Sequence, residues 1–203
     1  MRVGFQIPAH EIRNSKFTYP MSTSTQLMTA EELSALPDSP FRHELVKGEL
    51  LTMPLPKKKH GAVLVNLTVS LAQYVKANKL GVVYAHAGFK LESDPDTVLG
   101  PDVAFDKRER VTDSQKYGEG SPDLAVDVIS PSDRPQRIKW KTEQWLKHGA
   151  RSVWNVNPQT LTVTVHRDNG EVKHFEGADI LTDDDLLPGF RISLTEIFSV
   201  GNF

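Results

Sequence analysis

From residue 60 to residue 78 the apolar side chains Val63, Leu64, Leu67, Leu71 and Val75 recur three or four positions apart, the stripe of a helix with one buried face. Upstream, Thr29 and Glu32 have the spacing of a capping box, which predicts a short helix from Ala30 that Pro37 closes. Residues 43–51 form two extended runs around Lys47-Gly48, where glycine can supply the positive φ of a tight turn, so a β-hairpin is expected. Short apolar runs at 82–85, 89–91, 103–105 and 124–129, parted by turn-rich pieces such as Ser93-Asp94-Pro95-Asp96, read as strands of a mixed sheet. A second helix is predicted over 137–148, stopped by Gly149. A hairpin of 153–156 and 161–166 across Asn157-Pro158 follows it.

Residues 1–25 hold no periodicity and read as a tail, with Met21 an alternative start to Met1. Residues 26–203 read as one domain, long enough to bury a core without covalent staples. The chain has no cysteine, which excludes disulfides, thiolate metal sites and cysteine nucleophiles. Any metal must sit on oxygen and imidazole ligands, so magnesium or manganese is the expected ion. No apolar run is long enough to span a bilayer and the first 25 residues lack an apolar signal core, so a cytoplasmic protein is expected. The phosphate loop, the dinucleotide fingerprint, the HExxH pair and the GxSxG elbow are all missing, which makes kinase, dehydrogenase, zincin and serine-hydrolase readings poor.

A net charge of −2 gives no overall basic footprint, so contact with a polyanion must come from local patches. Two exist: Lys57-Lys58-Lys59-His60, and the series Arg134, Arg137, Lys139, Lys141, Lys147, Arg151. Taken alone, each reads first as a solvated loop or helix face and only second as phosphate contacts. Trp140, Trp145 and Trp154 read as core residues, not as platforms for stacked bases.

The informative carboxylates are Asp102, in Pro101-Asp102-Val103, and Asp127, in Leu124-Ala125-Val126-Asp127-Val128-Ile129. An ionised side chain in an apolar strand needs a cation, hydrogen bonds or a metal to offset its lost hydration. Alternation puts Leu124, Val126 and Val128 on one face, and Ala125 and Asp127 on the other. If the two aspartate strands are neighbours, both carboxylates can reach one hard cation. The competing reading is that Asp127 accepts hydrogen bonds from backbone or arginine, and that Asp102 is a turn residue.

The order Pro101-Asp102, then Asp127 after 24 residues, then a lysine on the next helix, resembles the PD-(D/E)xK nuclease superfamily. More narrowly, the chain resembles the putative restriction endonuclease family formerly catalogued as a domain of unknown function. The resemblance rests on the ordered stretches Met28–Leu33, His43–Leu50, His60-Gly61, Pro101-Asp102-Val103, Pro122-Asp123-Leu124, Asp127–Asp133 and Leu187–Phe190.

It implies an α/β fold of the restriction-endonuclease type: a mixed central β-sheet flanked by α-helices, with an N-terminal β-hairpin. It further implies a magnesium-dependent endonuclease acting on DNA. Asp102, Asp127, the main-chain carbonyl of Val128 and, as a third carboxylate, Glu44 would hold the metal. The lysine expected two residues after the acid is Ile129, so its role passes to Lys141, eight residues before Gly149, with Lys139 as fallback. Lys57, Lys58, Lys59, His60, Arg134 and Arg137 are the expected DNA contacts. A homodimer is the simplest way to cut both strands. Two alternatives stand beside this reading: a non-catalytic nucleic-acid-binding module on the same fold, and a metal-dependent hydrolase of a smaller phosphate ester.

Overall fold

The computed structural model describes residues 27–37, 39, 41–113 and 117–201; the expected tail at 1–25 lies outside them. Helix α1 (Ala30–Ser34) opens with both halves of the capping box formed, Thr29 Oγ1 accepting from the Glu32 amide and Glu32 Oε2 from the Thr29 amide. Strands β1 (Arg42–Val46) and β2 (Glu49–Met53) make the expected hairpin. Lys47 and Gly48 both have positive φ, the two-residue turn whose twist suits adjacent strands.

The long helix α2 (Lys58–Ala77) buries His60, Val63, Leu67, Leu71 and Val75, the stripe read from the sequence. Strands β3 (Gly81–Ala85), β4 (Phe89–Glu92), β5 (Thr97–Leu99), β6 (Val103–Lys107), β7 (Gly118–Glu119) and β8 (Leu124–Val128) precede helix α3 (Pro135–Lys147). Proline at the first helical position starts α3 two residues before the predicted start at 137, because its fixed φ suits a first turn. Strands β9 (Ser152–Asn157), β10 (Thr162–Arg167), β11 (Val172–Phe175), β12 (Ile180–Leu181) and β13 (Ile192–Ser193), then helix α4 (Leu194–Phe198), complete the described chain. Of these, β5, β7, β11, β12, β13 and α4 carry no sequence expectation. All but β11 and α4 are two or three residues long, too short to show periodicity.

The described strands form a six-stranded mixed sheet, ordered β11-β10-β9-β8-β6-β3, a five-stranded sheet, ordered β2-β1-β5-β4-β7, and the ribbon β12-β13. In the larger sheet β8 runs parallel to β9 and antiparallel to β6. One face meets α2, α4 and the segment of Leu186, Leu187 and Phe190 in the main core, where Leu124, Val126 and Val128 lie. The opposite face, with Ala104, Ala125 and Val153, packs against Trp145 of α3 and Phe89, Leu91 and Leu99 of the smaller sheet. Each Val, Leu or Phe side chain removed from water in these cores contributes about 1.5–3 kcal/mol. Trp145 and Trp154 are fully buried, while Trp140 is half-buried. Asn66 joins α2 to α4 by donating to the carbonyls of Glu196, Ile197 and Ser199, groups that the end of a short helix leaves open.

The site forms where the two sheets and α3 meet. Gly100, between β5 and β6, carries the chain from the smaller sheet to the larger.

Candidate active site

Strands β6 and β8 are direct neighbours with Val103 opposite Val126, so Asp102 and Asp127 come from adjacent strands. Asp102 precedes β6 and continues its ladder, its amide donating to the Val126 carbonyl at 2.9 Å. Its Oδ2 accepts from the Val128 amide at 2.8 Å, which ties the carboxylate to the end of β8. Its Oδ1 accepts from Arg42 Nη1 at 2.6 Å. Burial opposes the charge on Asp102, but the neighbouring His60 ring and the charges of Arg42 and Lys141 hold its pKa well below the ordinary carboxylate range.

Asp127 follows the strand alternation away from the main core and toward α3. Its Oδ1 accepts from Lys141 Nζ at 2.8 Å and its Oδ2 from Trp145 Nε1 at 3.0 Å. These donors are four residues apart on α3, one turn, so a single helix face grips both oxygens. Burial raises the pKa of Asp127 against the pull of Lys141. Adjacent strands thus hold two carboxyls whose acidities are driven apart, as functional sites commonly do.

Glu44 reaches the same place from β1. Its Oε1 accepts from the Gly100 amide at 3.0 Å and lies 3.2 Å from Lys141 Nζ, while Oε2 accepts from Arg137 Nη2 at 2.9 Å. Burial works against its charge, yet Lys141, the Gly100 amide and Arg137 lower its pKa. Lys141 also donates to the Gly100 carbonyl at 2.9 Å, and Asp127, Glu44 and Asp102 together outweigh its burial and raise its pKa. Arg42 Nη2 donates to that carbonyl at 2.7 Å. A Cβ on Gly100 would stand 3.2 Å from Arg42 Nη2, so glycine leaves the space this junction uses.

A cavity of about 400 Å³ opens over these groups, with Glu44, Asp102, Asp127, Val128, Lys141 and Arg137 in its wall. Lys57 and His60, at the start of α2, also line it. Lys57, Lys58, Lys59 and Arg134 are exposed, and Lys59 donates to the Pro158 carbonyl. Lys57 and Arg134 occupy the N-cap positions of α2 and α3, and neither caps its helix with its side chain. Arg137 is committed to Glu44 and stacks over Trp140, 4.5 Å from the ring centre. Lys139 is exposed, lies 3.9 Å from Glu143 and is not among the residues lining the cavity.

His60 and Asn155 contribute buried polar atoms without a hydrogen-bond partner, His60 Nε2 and Asn155 Oδ1. The Thr142 hydroxyl donates to the Ile138 carbonyl, so its oxygen is left to accept from Asn155 Nδ2 at 2.9 Å. That bond fixes the amide and leaves Oδ1 as the open acceptor on a residue that lines the cavity.

The oxygen-rich donor set suits a hard cation, Asn155 Oδ1 is an open acceptor, and His60 Nε2 is one too when the ring carries its proton on Nδ1, the kind of atom a cation satisfies. No group of three or more His, Asp or Glu side chains among the described residues is gathered tightly enough to hold a metal as it stands. The fit is therefore to an ion held by two carboxylates and completed by carbonyl oxygen and water, as magnesium commonly is.

The sequence reading missed Arg42, Gly100, Trp145 as a donor, and Asn155. Arg42 had a signal, since it lies two residues before Glu44 on one strand and shares its face. Asn155 had none, because its place opposite Asp127 comes from the parallel pairing of β8 with β9.

A family model described as Uma2, putative restriction endonuclease, matches residues 30–195. Among solved structures, the fold is similar to the crystal structure of a putative nuclease belonging to DUF820 from Anabaena variabilis ATCC 29413. The TM-score is 0.74 at 20% identity, covering 84% of this chain and 97% of that one. At that identity the likeness shows the fold alone. No curated protein matches the chain.

Proposed function

The chain belongs to the Uma2 family of putative restriction endonucleases, and from that premise we propose that it is an endonuclease hydrolysing DNA phosphodiester bonds with a divalent cation, magnesium or manganese. The observation that carries this reading is the meeting of Glu44, Asp102, Asp127 and Lys141 at one cavity. Asp102, Asp127 and the Val128 carbonyl would hold the ion. When bound, it supplies positive charge to the phosphate and acidifies a water.

The remaining residues have separable roles. In the metal-free site the carboxylates outweigh burial and favour the protonated form of Lys141, so its proposed role is charge and orientation and not that of a base. Glu44 stands behind it, positioning Lys141 and Arg137. The exposed Lys57, Lys58, Lys59 and Arg134 would meet backbone phosphates around the cavity, and the amides of two helix N-termini without side-chain caps add to that field. Among the described residues no helix is long and apolar enough to cross a membrane. A homodimer is part of the proposal, since one site per chain cuts both strands most simply in pairs.

Purified protein incubated with supercoiled plasmid and manganese or magnesium tests this reading. Nicking or linearisation that chelator stops, and that Asp102→Asn and Asp127→Asn each abolish, is the expected result. Cleavage that survives both substitutions sinks the site.

One observation favours a second reading. All six carboxylate oxygens of Glu44, Asp102 and Asp127 already accept from an N–H group or a cation, so the site is satisfied without metal. A non-catalytic nucleic-acid-binding module would bind DNA in the presence of chelator and cleave nothing under any condition.

A further inference from the structure

We propose that His60 is a nitrogen ligand to the divalent cation, making the site favour a first-row transition dication such as manganese over magnesium. This rests on the metal-dependent reading above and adds a ligand to it.

His60 lies in the first turn of α2, only 9% exposed, in the wall of the cavity. Its Nδ1 lies 3.4 Å from Ser130 Oγ, and its Nε2 has no hydrogen-bond partner although it is buried. The nearest carboxylate oxygen to Nε2 is Asp102 Oδ2, at 3.6 Å. That is too long for a hydrogen bond in either tautomer. With the proton on Nδ1, shared with Ser130, two acceptors face each other across the gap with no donor between them. A core histidine held for packing would be expected to place both nitrogens on partners, because a buried nitrogen without one is costly.

A cation resolves the arrangement. Nitrogen and carboxylate oxygen bind a dication at about 2.0–2.2 Å each, so two ligands of one ion can stand 3.6 Å apart. The Val128 amide occupies one lone pair of Asp102 Oδ2 and fixes the carboxylate, and the oxygen keeps a second lone pair. Ser130 would then orient the ring from its far side, as partners of metal-bound histidines do. Magnesium favours oxygen, whereas first-row transition dications accept imidazole readily, so His60 shifts selectivity toward them.

Pulsed electron paramagnetic resonance of manganese bound to the full chain tests this. The expected spectrum shows nitrogen coupling that changes when histidines carry ¹⁵N and disappears in His60→Gln, which keeps an oxygen of similar reach. By titration, His60→Gln is expected to lose more than about tenfold in manganese affinity and much less in magnesium affinity. The ¹⁵N-histidine measurement on the unsubstituted protein needs no variant to fold. Manganese bound in an Asp102-dependent way without histidine coupling overturns this proposal and leaves the nuclease reading intact. Coupling that persists in His60→Gln assigns the nitrogen to another histidine and overturns it too. No manganese binding at all overturns both readings.

Discussion

Lys141 and Asp127 form an ion pair 2.8 Å long, and the same ammonium lies 3.2 Å from Glu44 and 2.9 Å from the Gly100 carbonyl. One cation on α3 therefore ties β8 of the larger sheet to β1 of the smaller and to the crossing between them. Lys141→Met would leave two buried carboxylates without their common counter-charge. We expect a loss of about 3 kcal/mol, in the range for breaking a buried pair, measured by urea denaturation. In an Asp127→Asn background the same substitution should cost less, by about 1–3 kcal/mol. Equal costs in both backgrounds would show that the pair contributes nothing to stability.

The acid limb of stability should come from Asp102 and Glu44. Both have folded pKa values below their ordinary ones of 3.8 and 4.5. Their contribution is thus present above those ordinary values and lost as pH falls through them toward the folded values. Lys141 has the opposite dependence: its raised pKa contributes fully below its ordinary 10.5 and fades as pH rises above it. Denaturation midpoints across pH should fall at both ends, and Asp102→Asn should flatten the acid limb. An unchanged acid limb in that variant would count against the assignment.

Arg42 competes with any cation for Asp102 Oδ1, which it holds at 2.6 Å. Its side chain is 30% exposed, against 15% for Lys141, so it is the freer of the two to swing away. Arg42→Met should bind manganese about tenfold more tightly by calorimetry. Weaker binding would mean that Arg42 helps to shape the metal seat.

Phosphate contact through Lys57, Lys58 and Arg134 predicts a salt signature. In an Asp102→Asn background that prevents cleavage, removing one of these charges should lower duplex affinity and reduce the salt slope of binding by about 0.9. Substituting Lys139, which lies apart from the cavity, should leave the slope unchanged. A slope indifferent to all four places the DNA on another surface.

Much of this arrangement was legible before any coordinates. The α2 stripe, the capping box at Thr29 and the turn at Lys47-Gly48 are local patterns, each set by residues within one or two turns of chain. The face of β8 that carries Asp127 followed from alternation alone, and Ala125 does lie on that face, away from Leu124, Val126 and Val128. The division into two sheets was not legible, nor were short strands such as β5, which owe their pairing to partners far along the chain.

For the candidate site, the sequence determined which residue types are present and on which face of its own element each lies, because backbone periodicity dictates side-chain direction within a strand or helix. It marked Glu44, Asp102, Asp127 and Lys141 but held no information on who neutralises whom. Tertiary structure alone decided that Arg42 takes Asp102, that Arg137 takes Glu44, and that Lys141 lies between Asp127 and Glu44. It alone left His60 Nε2 and Asn155 Oδ1 without partners. The physical reason is range: periodicity acts over a few residues of one element, whereas these contacts join groups as far as 93 positions apart, brought together only when two sheets and a helix close around Gly100.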